Sequence, residues 1–119
     1  MLSNEEKIFY FNVQIEEEVN NGGFAQFFYN GDSCGEIVAS LRAVGAYKTA
    51  EICNKALVAL GESLPKNKAE REMMLDRIIT DEVSEVLSEC NDGFYNQQDD
   101  LSELNYQFVI KNKDEFTRG

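Results

Sequence analysis

The chain of 119 residues contains no histidine and no tryptophan, and it has only one proline. Without histidine there is no Ser-His or Cys-His nucleophilic pair, no histidine-based zinc site and no usual general base near neutral pH. Carboxylates alone can perform catalysis, but no pair of them stands out, and neither an EF-hand loop nor a Glu-x-x-His pair is present. We therefore expect no catalytic residues, no metal and no cofactor, with a carboxylate-metal enzyme as the weak alternative.

Cysteine is scarce as well, and the three residues Cys34, Cys53 and Cys90 are far apart in the sequence. That number and spacing give neither a disulfide framework nor a metal-binding knuckle. Cys53 and Cys90 stand in apolar periodic patterns, so core packing is the expected role of these two. No apolar run approaches the length of a membrane span, and the start MLSNEEK lacks the basic and apolar segments of a signal peptide. These absences predict a cytoplasmic protein that does not enter a membrane.

Signals for helix starts, in contrast, are present along the whole chain. Ser3 with Glu6 and Ser33 with Glu36 both have the spacing of a capping box. Thr80 and Asp81 stand where a helix would restart inside a long helical pattern, and Asp100 with Glu103 opens the last helix. Each of these positions predicts the first turn of a helix.

Apolar residues recur at the helical period between these signals, and no segment alternates in the manner of a β-strand. The sequence therefore predicts an all-α fold, a single compact domain of five to seven packed helices over residues 1–119. Its core is expected to contain Phe11, Ile15, Phe24, Phe27, Phe28, Leu41, Leu57, Ile79, Val83, Leu87, Leu104 and Phe108.

The stretch NNGGFAQFFYNG, residues 20–31, combines two adjacent glycines with flanking amides and several aromatic residues. Gly22 or Gly23 can adopt the left-handed backbone that ends a helix, and the amides can bond to backbone groups that the turn leaves free. The pattern predicts a structural corner, with a ligand or partner site as the alternative. The corner consists of Asn21, Gly22, Gly23, Phe24, Gln26, Phe27, Phe28 and Asn30, next to Asn20.

Three stretches carry a resemblance to a known family. NGGFAQFFYN (21–30), LRAVGAYKTAEI (41–52) and NDGFYNQQDDLSELNYQFVIKN (91–112) resemble the DNA-mimic protein 19 family, over roughly residues 8 to 116. The resemblance implies an all-helical acidic domain without catalytic residues. It also implies that carboxylates stand in place of DNA phosphates and capture a DNA-binding regulator. The NGGF-x-QFF motif marks the corner of the fold, so the function has to be judged from the charges.

The acidic residues are concentrated in two segments that contain no base. The chain has 22 acidic and 11 basic residues, a net charge of −11. Residues 8–41 contain five acids and residues 78–110 contain eight, whereas the rest of the chain is slightly basic. Without a basic patch to neutralise phosphate, direct binding to nucleic acid is disfavoured.

The second acidic segment supplies most of the candidate partner-binding residues. Its carboxylates would follow one side of a helix about 4–6 Å apart along the axis, whereas a DNA strand has one charge per about 3.4 Å. We predict an acidic surface of Glu82, Glu85, Glu89, Asp92, Asp99, Asp100 and Glu103, joined by Glu16 and Glu17. The alternative is a solvated face that only keeps the protein soluble.

These features together predict a non-enzymatic interaction protein, an acidic DNA mimic that captures a basic DNA-binding transcription regulator. A basic nuclease or toxin is the alternative partner, which would make the chain an immunity or antitoxin-like protein. A homodimer is a further expectation, because two copies would extend one acidic surface.

Overall fold

The computed structural model describes residues 2–31, 33–61, 63–96 and 99–116, and within these ranges it contains seven helices and no strand. The helices are α1 (Asn4–Asn30), α2 (Ile37–Ala43), α3 (Tyr47–Leu60), α4 (Lys68–Ile78), α5 (Asp81–Tyr95), α6 (Leu101–Lys111) and α7 (Lys113–Phe116). The all-α prediction is confirmed. None of the helices in the described ranges is long and apolar enough to cross a membrane.

Three of the expected helix starts are formed by local caps. The Ser3 backbone N–H donates to Glu6 Oε1 at 2.9 Å and the Glu6 N–H donates to Ser3 Oγ at 3.1 Å, which completes the capping box of α1. Thr80 and Asp100 accept from the third residues of α5 and α6 in the same way. Such caps connect residues three apart, so the sequence is sufficient to predict them.

The prediction of a capping box at Ser33 and Glu36 is wrong. Residues 33–36 form a turn, and α2 begins only at Ile37 without a side-chain cap. Ser33 is buried, and its hydroxyl donates to Gln14 Oε1 in α1 at 3.2 Å. A partner from a distant part of the chain has replaced the local one.

Helix α1 is the centre of the core, and α2, α4, α5 and α6 all pack against it. Of the twelve residues expected in the core, Ile15, Phe24, Phe27, Phe28, Leu41 and Leu87 are buried. The other six are partly buried and pack against the same cluster. The helical period therefore identified the core-facing side of each helix correctly.

Helices α3 and α5 run antiparallel, because Ile52 lies against Gly93 while Lys55 meets Glu89 further back along α5. This pairing places the start of α3 beside the end of α5. Helix α6 is fixed on α1 by buried amides: Asn105 Nδ2 donates to Phe9 O at 3.2 Å, and Asn12 Nδ2 donates to Asn105 Oδ1 at 3.3 Å. The ends of α5 and α6 that carry acidic residues are therefore held in place by the core.

Cys53 and Cys90 have the packing role expected of them. Cys34, Cys53 and Cys90 are free and buried. Although they are distant in sequence, they come together in the core, where burial first, and then the neighbouring Cys34 and Cys90, raise the pKa of the Cys53 thiol. A thiol that stays protonated is a poor nucleophile and a poor metal ligand.

Candidate partner-binding surface

The glycine pair at 22 and 23 breaks α1 into two helical halves. Gly22 has φ −149° and ψ 15°. Gly23 has φ 77° and ψ −176°, and this second conformation is accessible almost only to glycine. Beyond the break, Phe24, Phe27 and Phe28 are fully buried. The motif thus turns the chain so that its aromatic residues enter the core.

Two residues of α5 hold this break from the opposite side. Asn91 Oδ1 accepts from the Phe24 backbone N–H at 2.8 Å, and the Tyr95 hydroxyl donates to Val19 O at 2.9 Å. Asn91 and Tyr95 are four residues apart and lie on one face of α5. Tyr95 bonds to the backbone before the two glycines, and Asn91 bonds to the backbone directly after them. The bend of α1 and the position of α5 are therefore coupled.

The amides of the motif have a different role from the expected one. Gln26 Nε2 and Asn30 Nδ2 both donate to Glu18 Oε2, at 2.8 and 3.2 Å, rather than to nearby backbone. Asn20 and Asn21 are exposed. Glu18 therefore connects the two halves of α1 through side chains, and the backbone group at the corner is satisfied by Asn91.

Helix α4 holds the end of α1 through a residue that the sequence pattern did not single out. Arg71 is 1% exposed, and its guanidinium donates to the carbonyl oxygens of Phe28 and Tyr29 at 2.9 and 3.2 Å. It also donates to Pro65 O and Lys66 O, at 3.3 and 2.9 Å. From the sequence, a single arginine in a segment of mixed polar residues is expected at the surface. Only the fold shows that Arg71 is buried.

Next to Arg71, the Tyr29 hydroxyl donates to Asp76 Oδ1 at 2.6 Å. This hydrogen bond, then partial burial and the charges of Asp76 and Glu72, raise the pKa of Tyr29 to about 12. The folded state holds the phenolic proton more tightly than the unfolded chain, whose tyrosines titrate near pH 10. The stability that this bond contributes is therefore complete below about pH 10 and is lost as the pH rises through 12.

This shift predicts a late-titrating tyrosine. When the tyrosinate absorbance of a Tyr29→Phe variant is subtracted from that of the wild type across an alkaline titration, the difference should have a midpoint near pH 12. The circular dichroism of both proteins, recorded in parallel, shows that they remain folded at each pH. A midpoint near 10 would mean that the contact with Asp76 does not form in solution.

The outward face of α5 carries a stripe of carboxylates. Glu82, Glu85, Glu89 and Asp92 are all exposed. At 100° per residue they fall within an arc of about 80°, and they extend over roughly 15 Å of the helix axis. The stripe lies on a different side of α5 from Asn91, which binds the backbone of α1, so α5 is attached to the core on one side and charged on another.

One carboxylate of this stripe, that of Glu89, is partly neutralised by a lysine. The absence of bases between residues 78 and 110 did not indicate this pairing, because the lysine comes from another part of the chain. Lys55 Nζ in α3 lies 3.5 Å from Glu89 Oε2, with both side chains mostly exposed. Exposed ion pairs of this kind contribute little to stability, but they reduce the local charge. In the described part of the chain, Glu82, Glu85 and Asp92 have no such partner.

Three of the remaining predicted residues lie at the start of α6. Asp100 and Glu103 are exposed, and Asp100 caps α6. From α1, Glu16 comes to the same place, because its Oε1 accepts from the Ser102 hydroxyl of α6 at 2.8 Å. Glu17 is exposed on α1. We call Glu16, Asp100 and Glu103 the acidic junction.

Asp99 was expected to be a freely exposed carboxylate, and this expectation is wrong. It is half-buried, and its Oδ2 accepts from the Thr49 backbone N–H and hydroxyl at 2.8 and 3.2 Å. Thr49 lies in the first turn of α3, which has no cap of its own. Asp99 therefore acts as a helix cap supplied from a distant segment, and it ties α3 to the acidic junction.

Among the described residues, no group of three or more histidine, cysteine, aspartate or glutamate side chains is arranged to hold a metal ion. The carboxylates follow the surface instead of converging on one point. This arrangement suits the recognition of an extended basic surface.

Comparison with known proteins gives one match. A family model described as DMP19-like protein matches residues 1–112, a range that includes the corner, the carboxylate stripe and the acidic junction. No curated protein and no solved structure matches the chain.

Proposed function

The chain belongs to the DMP19-like protein family, and from that premise we propose that it is a non-enzymatic protein that captures a basic DNA-binding protein. Its carboxylates take the place of DNA phosphates, and its partner is a transcription regulator. The observation that carries the proposal is the exposed stripe of Glu82, Glu85, Glu89 and Asp92 on one face of α5.

The spacing of the stripe supports this assignment. Four carboxylates over roughly 15 Å, one of them partly neutralised by Lys55, compare with four or five phosphates over the same length of one DNA strand. The acidic junction adds exposed and half-buried carboxylates on α6 and α1. A DNA-binding surface that tracks phosphates would therefore meet a similar density of negative charge here.

The surface is built to stay in one arrangement. Asn91 and Tyr95 fix α5 on α1, Asp99 fixes the junction on α3, and Ser102 connects α6 to Glu16. A pre-organised charged surface loses less side-chain and backbone entropy on binding than a flexible acidic tail. This feature favours specific capture over a coat that serves only solubility.

We place the protein in the cytoplasm, where free thiols stay reduced and DNA-binding regulators act. We also propose that it forms a homodimer, which would double the length of the acidic surface. Binding of the protein itself to nucleic acid is disfavoured, since an excess of 11 negative charges repels phosphate.

Charge removal from the stripe tests the proposal. The protein, immobilised, is used to isolate its DNA-binding partner from the source cell, and the purified pair is then titrated. Glu82→Gln with Glu85→Gln should weaken binding by about tenfold, because both charges face the partner and neither is paired. The control is Glu70→Gln with Asp114→Asn, which removes the same charge from exposed positions on α4 and α7 and should change binding less than twofold.

Two further measurements distinguish mimicry from general acidity. The affinity should fall at least tenfold between about 50 and 500 mM salt, because exposed charges are screened over about 4 Å at the upper end of that range. Duplex DNA should compete with the protein for the partner. A partner that binds DNA and this protein at the same time would contradict the proposal.

A further inference from the structure

A groove lies between the first half of α1 and the helix α2, and none of its lining residues belongs to the carboxylate stripe or the acidic junction. Its volume is about 850 Å³, within the range of about 300–1,000 Å³ that is usual for ligand cavities. Lys66 joins the lining from the segment that precedes α4. Three separate parts of the chain therefore meet at one cavity.

The lining of this groove is mainly apolar. Ile8 and Phe11 on α1 are partly buried, and Ala39 on α2 is exposed. Leu2 precedes the N-cap of α1, where an apolar residue often packs against the fourth residue of the helix. That fourth residue is Lys7, and Leu2 remains 44% exposed as part of the groove lining. An apolar surface is therefore left open between the two helices.

The charged groups of the groove are two lysines and one glutamate. Lys66 Nζ lies 3.4 Å from Glu36 Oε1, and the lysine side chain is still 85% exposed. Lys7 is exposed and forms no ion pair with any residue that the structure describes. Two bases and one acid give the groove an excess of one positive charge, in a chain whose net charge is −11.

Buried side chains hold the walls of the groove in place. Asn12 is buried, and its Nδ2 donates to Ser40 O at 3.1 Å, which fixes α2 on α1. Arg71 donates to Lys66 O at 2.9 Å and so holds the backbone of the lysine at the rim. Ligand cavities are usually formed before the ligand arrives, and these fixed walls meet that condition.

We propose that this groove binds small amphipathic carboxylates, of the class of free medium-chain fatty acids. The alkyl chain lies against Leu2, Ile8 and Phe11, where it is removed from water, and the carboxylate pairs with Lys7. An apolar lining with a few polar groups that fix the orientation of the ligand is typical of small-molecule sites. Because the groove is separate from the carboxylate stripe, this inference does not depend on the proposed function.

The test compares three probes that share one alkyl chain, namely decanoate, decanol and decyltrimethylammonium. Each is titrated below its micelle concentration at about 100 mM salt, where the Debye length is about 10 Å, and amide chemical shifts are recorded by NMR. Decanoate should bind most tightly, whereas the net charge of −11 by itself would favour the ammonium probe. The largest shift changes should fall in residues 2–11 and 36–40, which form the walls.

Two charge changes with opposite expected effects test the carboxylate site. Lys7→Gln should weaken the binding of decanoate by about two- to fivefold, which corresponds to one exposed ion pair. Glu36→Gln should strengthen it by a similar factor, because a negative charge is removed and Lys66 is released. Neither change should alter the binding of decanol. The matched control is Lys48→Gln, at an exposed position of α3 outside the groove, which should leave decanoate binding unchanged.

A bulky residue in the groove tests the site of the alkyl chain. Ala39 is exposed, so Ala39→Phe places a ring in the groove without a clash in the core, and the shift changes caused by decanoate and by decanol should both be lost. Ala69→Phe, at an exposed position of α4, should retain them. The spectrum of each variant without probe shows that the variant is folded.

Four results would overturn the inference. They are the absence of decanoate binding below the micelle concentration, tighter binding of the ammonium probe, shift changes that fall outside the walls of the groove, and unchanged binding in Ala39→Phe.

Discussion

Replacement of Arg71 by methionine is expected to lower the free energy of unfolding by about 3 kcal/mol or more. Methionine has a similar length and fills much of the space, but it cannot donate to the carbonyl oxygens of Phe28, Tyr29, Pro65 and Lys66. Each of these acceptors that stays buried without a partner costs about 1–3 kcal/mol. Chemical denaturation of the two proteins measures the difference.

Two further variants test whether the loss of stability is due to the planar guanidinium group of Arg71 with its several N–H donors. Arg71→Lys keeps the charge but presents a single donor point in place of the planar group, so it should be intermediate in stability. Arg42→Met removes an exposed arginine from the last turn of α2 and should change stability by about 0.5 kcal/mol or less. If Arg71→Met were as stable as Arg42→Met, the guanidinium would have no part in holding α4 against α1.

Gly23→Ala is expected to destabilise the protein by about 2–4 kcal/mol, for two independent reasons. An alanine disfavours the φ of 77° at this position. Its Cβ would also lie 2.5 Å from Asn91 Nδ2, the amide whose oxygen accepts from Phe24. Asn91 is fixed by this bond, so the clash cannot be relieved without loss of the contact between α1 and α5.

The other glycines provide a graded set of controls for this prediction. Gly61 has a similar φ of 76° but open space at its Cβ, so Gly61→Ala should cost about 1 kcal/mol for the backbone alone. Gly35 has open space and no positive φ, and Gly35→Ala should be nearly neutral. Equal losses at Gly23 and Gly61 would mean that the close approach of Asn91 adds nothing.

A double-mutant cycle isolates the contact itself. In an Asn91→Ala background the steric conflict is absent, so Gly23→Ala should cost less than it does in the wild type. The same variants connect the corner to the proposed function, because the bend of α1 and the position of α5 are set by the same contacts. Partner binding should therefore weaken in Gly23→Ala although every carboxylate remains.

The likeness of NGGFAQFFYN and the later stretches to a known family is confirmed by the match over residues 1–112. The glycines are recognisable in the sequence because a residue with positive φ has few alternatives to glycine. Asn91 and Tyr95, which hold the corner, are not recognisable in the same way. An asparagine and a tyrosine four residues apart gain this role only when α5 lies against α1.

The acidic residues show the same distinction between properties that follow from the nearby sequence and properties that depend on distant segments of the chain. The absence of bases between residues 78 and 110 is a property of the sequence, and the exposure of Glu82, Glu85 and Asp92 follows from the helical period. The pairing of Glu89 with Lys55 and the use of Asp99 as a cap for α3 depend on the packing of α3. Neither partner is within thirty residues of its acid along the chain.

By itself, the sequence determined the helical class, the core-facing side of each helix, the capping box of α1 and the position of the corner. All of these depend on interactions within a few residues or on the period of one helix, where the geometry is the same in any protein. Only the tertiary structure decided that Arg71 is internal, that Ser33 bonds to Gln14 instead of capping α2, and that Asp99 caps α3. The physical reason is that a polar side chain bonds to the partner that packing places beside it, and packing joins segments that sequence spacing does not relate.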